Sequence, residues 1–303
     1  MISKGLSGLD GTNLLPIPTT PPLHDKNAFV AMKDALLSQP KDTAWLVATG
    51  TLTNVAILFA AFPEVALHIR GLSIMGGAVG NGFTKVPISL KPGDSSRIGN
   101  ITPWAEFNIY CDPESAQSIF SSPVLAPKTT LITLDLTHQV LATLDIQSLV
   151  LGGEASSDAE GKGFPSILRQ ILHALLIFFA NTYDTVFGIS AGPPLHDPLA
   201  VAVLLSNLNT DQANHMIGAG DVIKFDDGEG RRYNVNVVTD GQHSKDHDLG
   251  SQVGRIIATP VSNLEGTGGV TIPCSVDVNK FWAMIVSCLE RADSWNLTRS
   301  QAK

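Results

Sequence analysis

The segment at residues 99–108 carries three side chains that could bind a polyhydroxylated ligand. Asn100, Glu106 and Asn108 supply two carboxamides and one carboxylate. A sugar hydroxyl both donates and accepts hydrogen bonds, and this set of groups offers both functions. The alternative is a polar loop that satisfies its own hydrogen bonds, with Glu106 solvated. Residue types and spacing alone leave both interpretations open.

A second candidate site is the tripeptide His196-Asp197-Pro198. Asp before Pro commonly begins a helix, because the carboxylate caps backbone N–H groups. We interpret Asp112-Pro113 as such a cap and nothing more. His196 distinguishes the later motif, since a histidine beside a carboxylate at the start of a helix can be a general acid next to a ligand of a hard metal ion. His196 and Asp197 are therefore candidate catalytic residues.

Four other features are weaker. Residues 188–192 match the G-x-S-x-G pattern around Ser190, but a nucleophile elbow needs a strand before the serine, and the preceding pattern is helical. The acidic and histidine side chains of 243–248 lack a second ligand cluster at zinc-like spacing, which favours a solvated loop. The glycine turn at 76–80 does not have the GxGxxG spacing of a dinucleotide site. Tyr183 and Phe187, four residues apart, either pack in the core or line a pocket for a base.

These residues require alternating strands and helices to position them. Apolar runs at 44–48, 71–75 and 130–136 predict buried strands, and their alternation with helical patterns predicts an α/β fold with a mostly parallel central sheet flanked by helices. Helices are predicted at 53–62 with Thr53 as the cap, at 113–121, 166–187, 197–205 and 279–292, with a hairpin or meander at 222–238 and a last strand at 276–278. We expect surface loops at 81–99, 152–163 and 240–251.

The composition argues against several classes of partner. The chain has 303 residues, of which 44% are hydrophobic and 16% charged, and a net charge of −8. An acidic chain without a basic cluster is a poor match for nucleic acid, and the longest apolar run, at 171–180, is too short to span a bilayer. Three cysteines without paired spacing and the absence of a secretory signal predict a soluble cytoplasmic protein with reduced thiols.

Taken in order, several segments resemble the inosine–uridine-preferring nucleoside hydrolases over nearly the whole chain. They are the glycine-rich loop at 5–11, the turn Ala48-Thr49-Gly50-Thr51-Leu52-Thr53-Asn54, Met75-Gly76-Gly77, the segment at 99–108, Leu134-Asp135-Leu136-Thr137-His138, His196-Asp197-Pro198, and Phe281-Trp282 of the closing helix. The resemblance implies hydrolysis of the N-glycosidic bond of ribonucleosides to free base and ribose. The expected partner is a small nucleoside, and a homo-oligomer is an open possibility.

The resemblance also implies a site. The family places a calcium ion at the end of a parallel sheet, where it holds a water and the ribose diol, and calcium prefers oxygen ligands. By resemblance, the Thr49 carbonyl and the Asp197 carboxylate would bind Ca²⁺, Asn100, Glu106 and Asn108 would hold the ribose with Met75 beside it, and His196 would protonate or orient the leaving base.

One departure from the family is clear. The aspartate cluster D-x-D-x-x-x-D-D, which supplies most of the family's metal carboxylates, does not occur in the chain, and Lys4 stands where the family usually has a histidine. We therefore expect one nucleoside-hydrolase-like domain over residues 1–303 that is N-terminally incomplete and lacks the first strand. Two alternatives stay open: a non-catalytic nucleoside- or sugar-binding or interaction protein on the same scaffold, and a serine hydrolase using Ser190.

Overall fold

The computed structural model describes residues 13–22, 24–152, 165–207, 223–243, 250–262 and 268–301. Its strands are β1 (Trp45–Ala48), β2 (Gly71–Met75), β3 (Thr129–Ile132), β4 (Phe225–Asp226), β5 (Arg232–Val237), β6 (Ile256–Pro260), β7 (Val270–Thr271) and β8 (Ser275–Val276). A six-stranded sheet has the order β1-β2-β3-β7-β5-β6, and β4 pairs with β8 separately. The pairs β1–β2, β2–β3 and β3–β7 are parallel, whereas β5 is antiparallel to both of its neighbours. The predicted mostly parallel α/β sheet is confirmed.

Helices cover both faces of this sheet. They are α1 (Ala28–Leu37), α2 (Thr53–Ala61), α3 (Pro63–His68), α4 (Phe107–Cys111), α5 (Pro113–Phe120), α6 (Leu134–Thr137), α7 (Leu144–Leu151), α8 (Ile167–Phe187), α9 (Asp197–Ala202) and α10 (Val278–Gln301). None of the described helices is long and apolar enough to cross a membrane.

Strand β2 shows how the two faces are built. Side chains alternate along a strand, so Leu72 and Ile74 pack with α2 and α5 in one apolar core, while Met75 belongs to the opposite core with α6, α9 and α10. Ser73, also on the second face, is fully buried and donates its hydroxyl to the Ala200 carbonyl of α9 at 2.6 Å. This bond fixes α9 against the middle of the sheet.

The prediction of a single strand over the apolar run at 130–136 was wrong. The strand ends at Ile132, and α6 begins at Leu134. Leu134 and Leu136 are fully buried in the short helix. Burial of this helix, and not pairing in the sheet, therefore explains why the second half of the run is apolar. A short buried helix and a buried strand have the same hydrophobic pattern.

Several other element boundaries also differ from the prediction. Thr53 is the first residue of α2 and not its cap, and its hydroxyl donates instead to the Asp112 carboxylate. Helix α9 ends at Ala202, and a 3-10 helix, Val203–Asn207, follows it. The expected meander is not formed, because β4 pairs with β8 and not with β5. The closing helix α10 continues to Gln301 through a mostly polar stretch in which the large apolar side chains, Trp295 and Leu297, are exposed.

Candidate active site

The candidate site lies where three parallel strands end. The register pairs Ala48 with Ile74 and Met75 with Ile132, so the carboxyl ends of β1, β2 and β3 share one edge of the sheet. In open α/β sheets this edge is where ligands usually bind. Thr49 follows β1 directly, and α6 follows β3.

Glu106 links the end of β2 to the start of α4. Its Oε2 accepts hydrogen bonds from the Gly77 N–H at 2.9 Å and the Ile109 N–H at 3.1 Å, and its Oε1 accepts one from the Asn108 N–H at 2.9 Å. The residue is only 2% exposed, so the interpretation of a solvated Glu106 was wrong. Burial raises the pKa of its carboxyl, the three N–H donors act in the opposite direction, and the charge of Asp197 raises the pKa further.

The two carboxamides are also anchored to the backbone. Asn108 Nδ2 donates to the Met75 carbonyl at 3.0 Å, and Asn100 Oδ1 accepts from the Phe107 N–H at 2.9 Å. Within the described residues, Asn108 Oδ1 and Asn100 Nδ2 take part in no hydrogen bond. The structure thus brings Met75, Asn100, Glu106 and Asn108 together and leaves one amide acceptor and one amide donor for a ligand.

His196 stands at the N-terminus of α9 with both ring nitrogens bonded. Its Nε2 lies 2.6 Å from the Tyr183 hydroxyl, and its Nδ1 lies 2.8 Å from the Thr137 hydroxyl. Burial, together with the nearby His138, lowers the pKa of His196 to about 3. The ring is therefore neutral near neutral pH and acts as a hydrogen-bonding group in the resting site.

Asp197 and Thr49 are exposed at the same edge. Asp197 is the first residue of α9, where a carboxylate interacts favourably with the helix dipole. Across the described part of the chain, no group of three His, Cys, Asp or Glu side chains could hold a metal ion. One carboxylate and one carbonyl fall short of the six to eight oxygens that calcium usually takes, so these residues alone do not fit a complete calcium site.

Sequence reasoning assigned no role to the side chains of α6 that support this site. The Asp135 carboxylate accepts from the Val79 N–H at 2.8 Å and the Gly80 N–H at 2.9 Å, which holds the glycine turn after β2. Burial raises the pKa of that carboxyl, and the two backbone donors lower it. The buried ring of His138 lies 5.8 Å from that of His196. The available signal was a set of polar residues inside an apolar run, which burial requires to be hydrogen-bonded.

Two short segments, residues 140–142 and 193–195, form a paired structure that we call the neck, and the second of them ends just before His196. Residues 140–142 pair with residues 193–195 through Leu195 N–H to the Val140 carbonyl and Ala142 N–H to the Pro193 carbonyl, both at 2.9 Å. Gly192, at a φ of +141°, has no room for a side chain, because a Cβ there would lie 2.3 Å from the Ala142 carbonyl oxygen. The neck joins the ends of the segment that carries α7 and α8.

The remaining motifs have other surroundings. Ser190 lies in a turn that follows α8, whereas an elbow would need a preceding strand. The ring of His243 lies 4.9 Å from that of Tyr110, while Asp246, His247 and Asp248 lie outside the described residues, as does the loop at 5–11. Of the aromatic pair on α8, Tyr183 contacts His196 through its hydroxyl, and Phe187 packs 5.3 Å from the Tyr183 ring.

The chain is similar to several relatives in sequence and to a solved structure in fold. A uridine nucleosidase of Saccharomyces cerevisiae is 29% identical over 95% of this chain and 73% of its own length. A probable ribonucleoside hydrolase of Dictyostelium discoideum is 33% identical over 81% of this chain and 68% of its own length. The solved structure of a purine-preferring ribonucleoside hydrolase from Gardnerella vaginalis superimposes with a TM-score of 0.59 at 25% identity, covering 91% of this chain and 70% of that one.

The model of one protein family covers most of the chain. It is described as inosine-uridine preferring nucleoside hydrolase, and it matches residues 3–283. The matched range includes every site residue discussed above, from Thr49 to Asp197. This chain belongs to the inosine-uridine preferring nucleoside hydrolase family.

Proposed function

We propose that this chain hydrolyses the N-glycosidic bond of ribonucleosides to give free base and ribose. The observation that carries the proposal is that two unlike groups of residues lie close enough for their charges to interact: in addition to burial, the charge of Asp197 raises the pKa of Glu106, and the charge of Glu106 raises the pKa of Tyr183. A carboxylate and two carboxamides lie beside Met75, and the neutral His196–Tyr183 pair lies at the start of α9. Membership of the family supports the same reaction.

The first group suits the sugar. Asn108 Oδ1 and Asn100 Nδ2 can accept from and donate to ribose hydroxyls. The three N–H donors on Glu106 favour its carboxylate form, and Oε1, which accepts only one of them, retains an acceptor position. Departure of the base builds positive charge on the sugar, and a fixed carboxylate in a site of low polarity stabilises that charge. We therefore assign ribose binding to Met75, Asn100, Glu106 and Asn108.

The second group suits the leaving base. The C1′–N bond breaks, the base departs with the bonding electrons and gains a proton, and water supplies the hydroxyl that joins C1′. Because His196 is neutral, it lacks the second ring proton of an imidazolium, so it orients the base or passes on a proton that the bonded Tyr183 hydroxyl replaces. We assign the catalytic roles to His196, toward the base, and Asp197, toward the sugar.

A calcium ion is part of the proposal only as a ligand of two residues. The Thr49 carbonyl and the Asp197 carboxylate would hold it, and a bound metal ion would make an attacking water easier to deprotonate. Because the described residues do not complete its coordination, we derive no step through the ion. Formation of a homo-oligomer, a cytoplasmic location and a single domain over residues 1–303 stay predictions from the sequence.

The incomplete donor set favours a second candidate, a protein that binds nucleosides or their sugars without cleaving them. One experiment separates the two: incubate the purified chain with inosine or uridine, with and without calcium, and quantify the free base by chromatography while calorimetry measures binding. Release of base that Asn108→Ala abolishes and the exposed Asn234→Ala on β5 preserves would support hydrolysis. Binding without release would support the second candidate, and neither binding nor release would refute both.

A further inference from the structure

Three side chains form a hydrogen-bonded chain across the candidate site. The Tyr183 hydroxyl contacts His196 Nε2 at 2.6 Å, and His196 Nδ1 contacts the Thr137 hydroxyl at 2.8 Å. The Thr137 hydroxyl also lies 3.4 Å from the Leu134 carbonyl, one turn back along α6. A neutral histidine carries one ring proton, so the hydrogen bonds along this chain of side chains can point in only one of two directions.

Counting donors and acceptors distinguishes the directions. If Nδ1 carries the proton, it donates to Thr137, Thr137 donates to the Leu134 carbonyl, and Tyr183 donates to the bare Nε2, so every hydrogen has an acceptor. If Nε2 carries the proton, Thr137 donates to Nδ1 and Nε2 donates to the Tyr183 oxygen. The Tyr183 hydrogen then has no acceptor among the described residues, and an unsatisfied buried donor is costly.

Burial limits the water that could satisfy the Tyr183 hydrogen in the second arrangement. Thr137 is fully buried, and Tyr183 is 8% exposed. Burial also raises the pKa of the Tyr183 hydroxyl, so it retains its proton and can donate. The ring of His138, which is buried and has its pKa lowered by burial to about 4, lies 5.8 Å from the ring of His196.

We propose that Tyr183 and Thr137 together hold His196 in the Nδ1–H tautomer, with Thr137 as the acceptor of the Nδ1 proton, which makes Thr137 a positioning residue for the base side of the site. The direction of the chain is a property of the folded protein, and only its effect on hydrolysis rests on the proposed function. With the Nδ1 proton donated to Thr137, Nε2 and the Tyr183 hydroxyl remain, among these three side chains, to exchange a proton with a ligand. Thr137 thus holds the ring so that its Nε2 edge serves the leaving base.

The tautomer can be measured without any activity. Nitrogen-15 NMR of the full chain at pH 7 distinguishes a protonated Nδ1 from a protonated Nε2, and loss of one signal set in His196→Gln assigns the ring. We expect Nδ1–H in the unmodified protein and in Thr137→Ser, which keeps the hydroxyl. Thr137→Val should shift the ring to Nε2–H or to a mixture. An Nε2–H ring in the unmodified protein, or an unchanged ring in Thr137→Val, would overturn the proposal.

Kinetics then test the positioning role. Thr137→Val should lower kcat on inosine about tenfold with KM little changed, which corresponds to ~1.4 kcal/mol, and Thr137→Ser should restore it. Thr182→Val is the matched control, because within the described residues that hydroxyl donates to the Phe178 carbonyl of α8 and to no group of the site. Equal loss in the Val and Ser variants would reduce Thr137 to a structural residue. The expected tautomer in a chain that hydrolyses nothing would refute the proposed function alone.

Discussion

Glu106 should contribute substantially to the free energy of unfolding. Glu106→Ala would leave the N–H groups of Gly77, Asn108 and Ile109 without their acceptor. An unsatisfied buried donor costs about 1–3 kcal/mol, and loss of a helix N-cap alone costs about 0.5–2 kcal/mol. Burial of the charge, which raises the pKa of Glu106, offsets part of this. We expect a loss of about 3 kcal/mol in the free energy of unfolding.

The assay is urea denaturation, with the midpoint and slope followed for each variant. Glu106→Gln should lose less, roughly 1–2 kcal/mol, because its amide oxygen can still accept two of the three bonds while its NH₂ faces the third donor. Glu114→Gln is the control, since Glu114 is an exposed acidic residue in the first turn of α5, where a charge is worth only about 0.3–1 kcal/mol. If Glu106→Ala unfolds within about 0.5 kcal/mol of the unmodified chain, the three bonds do not carry the stability assigned to them here.

Two further predictions concern the histidines. His196→Ala should slow release of hypoxanthine from inosine by about 10²–10⁴-fold and should spare a riboside whose leaving group needs no proton; equal losses on both substrates would contradict a role toward the base. His138 should make the fold sensitive to acid, because burial lowers its pKa to about 4 from about 6.5 in the unfolded chain. The unfolded state then binds the proton more readily, so the free energy of unfolding should fall by up to ~3 kcal/mol as the pH drops from about 6.5 to 4. His138→Gln should lose this pH-dependent part of the free energy of unfolding. The same pH dependence in the variant and in the unmodified chain would contradict the prediction.

The sequence predicted the elements that bury a repeated apolar pattern. Gly71–Met75 was correct as a strand because both faces of β2 are buried, and the helix from Ile167 to Phe187 was correct because Ser166 caps it and Gly188 ends it. The error at residues 130–136 has a physical cause. Leu134 and Leu136 must be buried in a strand or in a helix, and local pattern does not register the change at Thr133.

The roles of the site residues stay predictions, but their positions can be compared with the sequence motifs. The motifs grouped Met75, Glu106, Asn108 and His196, and the structure places Met75 and Glu106 in contact with Asn108. Their partners could not be predicted, because the Thr137–His196 bond spans 59 positions and the Gly77–Glu106 bond spans 29. Contacts between residues so far apart depend on how α6 and α9 meet over the sheet, which no local spacing encodes.

The neck formed by residues 140–142 and 193–195 has a consequence for how such a protein can diverge. It brings Ala142 and Pro193 together, so the excursion of residues 143–192 leaves and returns at one point, and length changes within it need not displace α9 or the side chains of Asn100, Glu106 and Asn108. Tyr183 lies inside the excursion and contacts His196. Under the proposed function, variation in this excursion changes the side chains around His196 while Asn100, Glu106 and Asn108 stay in place, which is one route by which a single scaffold acquires different base preferences.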